Sequence, residues 1–149
     1  MKPFALAACL LVLPTTGLTA DFTSGDVVVS APYARPTTSL AMTGAGYFTV
    51  TNNGMTPDTL LEVTADFPRV MMHDTTVTDG VATMAHMAKG IVIPAGETVT
   101  FAPGGMHVMF MGLNGDPFEI GEEIPAMLLF EKAGKLEITF IVTEAEPKE

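Results

Sequence analysis

Residues 103–113 read PGGMHVMFMGL, placing three methionines and a histidine in six consecutive positions of a chain that has three histidines and no tryptophan. Taken as a β-strand, the segment sends successive side chains to opposite faces. His107, Met109 and Met111 then share one face, and Met106, Val108 and Phe110 share the other. The second face is ordinary core. The first is a row of thioether and imidazole donors, and the PGG turn just ahead puts His107 at the start of the strand, near a loop end.

Working outward, the chain repeats this grammar of short β-prone runs separated by turn residues. Runs at 27–31, 45–51, 59–64, 70–74, 81–87, 91–93, 98–101, 106–113, 126–130 and 136–142 alternate with NNG (52–54), TDG (78–80), PAGE (94–97), PGG (103–105), NGDP (114–117) and KAG (132–134). No segment after residue 20 sustains a helical period. The spacing predicts an all-β fold in a single domain, a β-sandwich or small Greek-key barrel.

The first twenty residues, MKPFALAACLLVLPTTGLTA, combine an early lysine, a short apolar run, a proline break and a small-residue end. They read as a secretory signal peptide cleaved near Ala20, the run being too short to span a bilayer. Cleavage at the LAAC of residues 6–9, which superficially resembles a lipoprotein box, would leave too little signal in front of it. The mature domain is expected over 21–149, with a frayed tail from about residue 144, no membrane span and a periplasmic location.

Cleavage at Ala20 removes Cys9, the only cysteine, so disulfides, thiolate ligands and cysteine nucleophiles are excluded from the mature chain. It also removes one of seven basic residues and none of the seventeen acidic ones, deepening the formal charge of −10. Such a balance argues against nucleic acid as a partner. Neither a GxSxG elbow nor an HExxH zinc motif occurs, and no enzyme is expected.

Each histidine stands beside methionine: MMHD at 71–74, MAHM at 84–87 and MHVM at 106–109. One methionine in a strand is ordinarily core filler. Clustering at every histidine points instead to a soft ion, because thioether and imidazole together select Cu(I), whereas zinc and magnesium call for more cysteine, histidine or carboxylate. A blue-copper electron-transfer centre needs a cysteine and is excluded. His107 and Met109, two apart on one strand, can supply two ligands. His73 precedes the TDG turn and Met84 follows it, so antiparallel pairing can bring them to one end of the sheet.

These residues resemble the periplasmic copper chaperones of the PCuAC type, whose signature is a His, about ten residues, a Met, about twenty-one residues, then His-x-Met. Here ten residues separate His73 from Met84 and twenty-two separate Met84 from the HVM of 107–109. The blocks APYARPT (31–37), GAGYFTVTNNG (44–54), IPAGETVTFAPGGMHVMFMGL (93–113) and GEEIPAMLLFEKAGKLEITFIV (121–142) extend the likeness across nearly all of the mature chain.

The resemblance implies a cupredoxin-like sandwich that holds one Cu(I) through His73, Met84, His107 and Met109. It implies delivery to periplasmic copper proteins, chiefly the copper-containing subunit of a cytochrome oxidase. Three positions depart from the pattern. Asp74 stands where a Met often follows the first His, Tyr33 stands where Trp is common, and the second spacing is one residue longer. Either Met84 is the ligand and the next loop carries an extra residue, or Met87 or His86 contributes; Met111, on the face of His107, is a further candidate. A competing reading is a metal-free sandwich serving as an interaction module, with the methionines packed in its core. Convergence of the four residues near one surface separates the two.

Overall fold

The computed structural model describes residues 21–144, and within them every regular element is a strand. The expected signal peptide at 1–20 and residues 145–149 of the expected frayed tail lie outside the described residues. In chain order the strands are β1 (Phe22–Ser24), β2 (Val27–Ala34), β3 (Thr43–Asn52), β4 (Asp58–Ala65), β5 (Arg69–Thr78), β6 (Val81–His86), β7 (Ile91–Ile93), β8 (Thr98–Phe101), β9 (His107–Met111), β10 (Glu123–Phe130) and β11 (Gly134–Val142). All ten expected runs are present. Only the three-residue β1, beside the turn at Gly25, had no counterpart in the hydrophobic pattern. β9 is shorter than the expected 106–113, because Gly112 turns to a φ of 87° and its N–H bonds to the carbonyl of Met42.

Hydrogen-bonded neighbours run β6-β5-β9-β3-β2-β11-β10-β4-β7, with β1 also on β2 and β8 also on β3. Every pairing is antiparallel except β2 with β11. The path closes face to face into a cupredoxin-like sandwich. Along β11, Leu136, Ile138, Phe140 and Val142 point inward while Glu137 and Ile141 do not, the alternation expected of a strand with one face on the core. Rings from strands that are not neighbours meet across the interior: Phe110 of β9 lies 5.5 Å from Phe140 of β11, and Phe48 of β3 lies 5.9 Å from Phe140.

Two glycines make that approach possible. Gly44 and Gly46 lie on the inner face of β3, where a Cβ would run into the ring of Phe118 at the first and come 2.9 Å from both Phe110 and Phe140 at the second. Gly46 pairs with Val108, so this close seat presses the inner face of β9 onto the core and leaves His107 and Met109 on the other face.

The β5–β6 hairpin is set by its turn. Asp79 and Gly80 both take positive φ, 52° and 77°, as a two-residue type I′ loop requires. Thr78 is therefore opposite Val81, and every pair down the hairpin follows, including Thr75 with Met84 and His73 with His86.

Candidate metal centre

β5 lies between β6 and β9, and directly paired residues of adjacent strands point to the same face. The β5–β6 ladder puts His86 opposite His73, and the β5–β9 ladder puts His107 opposite His73. The three histidines thus form one rung. The next rung pairs Met71 with Met109, and on the other side of the histidines Thr75 pairs with Met84. The ring of His73 is 5.7 Å from that of His86 and 5.7 Å from that of His107.

Burial divides the rung. His73 is 9% exposed and His107 6%, whereas His86 and Met84, on the projecting hairpin, are open to solvent. His73 Nδ1 is buried with no hydrogen-bond partner, an arrangement that costs free energy unless something else meets the nitrogen. His107 Nδ1 lies 3.1 Å from the carbonyl oxygen of Gly105. A carbonyl only accepts, so Nδ1 carries the proton and Nε2 keeps its lone pair. The PGG loop therefore orients His107, and the same Gly105 carbonyl accepts from the N–H of Thr75 on β5.

Burial pushes the pKa of His73 below its ordinary value, reinforced by the imidazoles of His107 and His86 and by the Arg69 guanidinium. The neutral imidazole that binds metal is thereby favoured. The same shift has a consequence for the metal-free protein. An unfolded histidine titrates near about 6.5, so below that pH the unfolded chain takes up a proton that folded His73 resists, and stability falls as pH drops from there through the folded pKa. The urea midpoint should decline more steeply between pH 7.5 and 5 for the native protein than for His73→Leu. Parallel declines would show that His73 does not resist protonation.

Of the residues singled out in the sequence, His73, His107 and Met109 are brought together on adjacent strands, with Met84 a diagonal neighbour of His73. Met87 is turned toward the core, against which it packs, and its N–H bonds to the Met72 carbonyl at 2.9 Å. Met111 pairs with Arg69 and Thr43, two rungs from the histidines. Met106 precedes β9 and packs half-buried on the core, the side expected of it. The methionines do not build the core, since among the described residues Met72 alone is buried.

Sequence reasoning passed over Met71, which the ladder sets directly opposite Met109. It also left the hairpin register open, although the Asp-Gly dipeptide is itself a type I′ signal that places His73 against His86.

Among the described residues no three His, Cys, Asp or Glu side chains are placed to hold one ion. The imidazoles stand in a row rather than around a point, and thioethers are the remaining donors on their face. All of these donors are neutral, and Asp74 points the other way, paired with Ala85. A donor set without carboxylate or thiolate suits a soft monovalent ion.

A family model described as "Putative lipoprotein LpqE-like" matches residues 27–142. A protein of Leifsonia xyli subsp. xyli, named "Putative lipoprotein Lxx21020", is 33% identical over 126 residues, covering 84% of this chain and 74% of its own. Among solved structures, the copper-bound PCuAC domain from PmoF2 superposes with a TM-score of 0.70 at 27% identity, covering 85% of this chain and 99% of that one. Apo-DR1885 from Deinococcus radiodurans superposes with a TM-score of 0.62 at 25% identity, covering 97% and 93%.

Proposed function

The chain belongs to the LpqE-like family and shares the fold of PCuAC domains, and on that footing we propose that it is an exported metallochaperone that binds Cu(I) and passes it on. The carrying observation is the rung of histidines with thioethers beside it, in which His73 Nδ1 is buried without a partner. Copper is the cargo. His73, Met84, His107 and Met109 hold it, with His107 offering Nε2 because Gly105 occupies its other nitrogen. His73, His107 and Met109 sit on strands whose inner faces are locked into the core. Met84, 56% exposed on the hairpin, is the ligand an acceptor reaches first. Cu(I) accepts two to four ligands, so exchange can proceed one donor at a time.

Export through the leader at 1–20 into the periplasm is part of this reading, as is a single working domain from residue 21. The lipoprotein names of the family and of the Leifsonia relative support export. No helix among the described residues is long and apolar enough to cross a membrane. The acceptors we propose are periplasmic copper proteins, first among them the copper-containing subunit of a cytochrome oxidase. The output is transfer, with no turnover.

Loading the mature protein with Cu(I) under anaerobic conditions and desalting it should leave one tightly held copper per chain. X-ray absorption should show mixed sulfur and nitrogen neighbours. Loss of all copper on desalting, or a shell of nitrogen and oxygen alone, would defeat the proposal.

A further inference from the structure

The four proposed ligands leave three soft side chains beside them unused: Met71, His86 and Met87. All three line one groove. The β5–β6 ladder ends at His73 with His86, so the Arg69–Met72 stretch of β5 runs on past the end of β6. The chain leaves β6 through Met87, tied to the Met72 carbonyl, and turns at Gly90, whose N–H bonds to the carbonyl of Met87 at 3.0 Å. Between this stretch of β5 and the facing β4 lies a cavity of about 430 Å³, lined by Met71, Met72, His86 and Met87 together with Arg69 and Glu62.

Its chemistry is selective. Arg69 and Glu62 carry opposite charges, so the groove offers no anionic cluster to a hard divalent cation. Its remaining polar or polarizable donors are an exposed imidazole and neutral thioethers, two of them, Met71 and Met87, only partly buried. That set suits a soft monovalent ion. It also adjoins the first centre, since Met71 pairs with Met109 and His86 with His73.

We infer that Met71, His86 and Met87 form a second Cu(I) site in this groove, sharing a wall with the first. The inference rests on the copper-chaperone reading. The second site is the weaker, because the Arg69 guanidinium repels a cation there and His86 is hydrated in its absence. Two adjoining positions of unequal strength let an incoming ion wait beside an occupied centre.

The test is a titration of the mature protein, labelled with ¹³C at the methionine methyls, with Ag(I) as the redox-inert probe. The first equivalent should move the Met84 and Met109 methyls. The second should move those of Met71 and Met87 and the ring signals of His86, while Met55, 97% exposed and outside the groove, stays in place. The double substitution Met71→Leu with Met87→Leu, which keeps side-chain volume, should erase the second step and preserve the first. Shifts of Met84 and Met109 with none at Met71 and Met87 would overturn the second site and leave the first standing. Movement of all four in the first equivalent would overturn it too, by merging the two sites. Met55 moving in step with the second equivalent would reduce the event to unspecific thioether binding and overturn it likewise. If no methyl moves at any ratio, the chaperone reading itself falls.

Discussion

His73→Leu should unfold at a higher urea concentration than the native apo-protein and hold Cu(I) at least about a hundredfold more weakly. The two effects have one origin. The imidazole is nine-tenths buried, its Nδ1 meets no donor or acceptor, and two further imidazoles flank it. An unsatisfied buried polar group costs about 1–3 kcal/mol, and an apolar side chain of similar size removes that cost. The metal-free fold should therefore gain about 1 kcal/mol, after some loss of packing. The affinity loss follows because substitutions of groups that merely orient a metal ligand already cost about 10–100-fold, and His73 is the proposed ligand at the centre of the rung. A variant that retains Cu(I) at native affinity would remove His73 from the ligand set. One destabilised like a truncated core residue would identify the imidazole as packing.

The second large effect separates sulfur from shape. Met109→Leu and Met84→Leu keep side-chain volume, a change that costs less than about 1.5 kcal/mol even in a core, so what each removes is a donor. Each should weaken Cu(I) retention at least about tenfold, the lower bound for groups that only orient a ligand. Met106→Leu, on the core side next to the same strand, should leave retention unchanged. Met84→Leu should be the most informative for delivery, because an acceptor's ligands would meet that exposed thioether first. Slower transfer with unchanged retention would make Met84 a docking contact and leave the ion to His73, His107 and Met109. Unchanged retention in all three variants would remove Met84 and Met109 from the ligand set.

Local pattern carried a great deal. The β-prone runs and turn residues located ten strands, because alternation and turn chemistry are properties of neighbouring residues. His107 and Met109 share one face as their parity required, with Val108 and Phe110 at 0% exposure on the other. The type I′ turn at Asp79 and Gly80 even encoded the register of the hairpin that bears His73, Met84 and His86. Soft-ion chemistry was legible too, from donor types and from the absence of cysteine after residue 20.

The pairing of β5 with β9 had no such local signature. These strands are far apart in the chain, and only the packing of Phe110 and Val108 against the far layer, admitted by Gly44 and Gly46, settles which residue of one faces which residue of the other. That one ladder put His107 against His73, raised Met71 to the side of Met109 and left Met111 beside Arg69. Likewise, Met87 stands next to His86 in sequence, but the end of β6 turns it onto the core, at the groove whose lining it shares with His86. The sequence by itself determined which side chains are soft donors and which face of each strand they occupy. Tertiary structure alone decided which of them meet, because cross-strand partners are chosen by the burial of the opposite face.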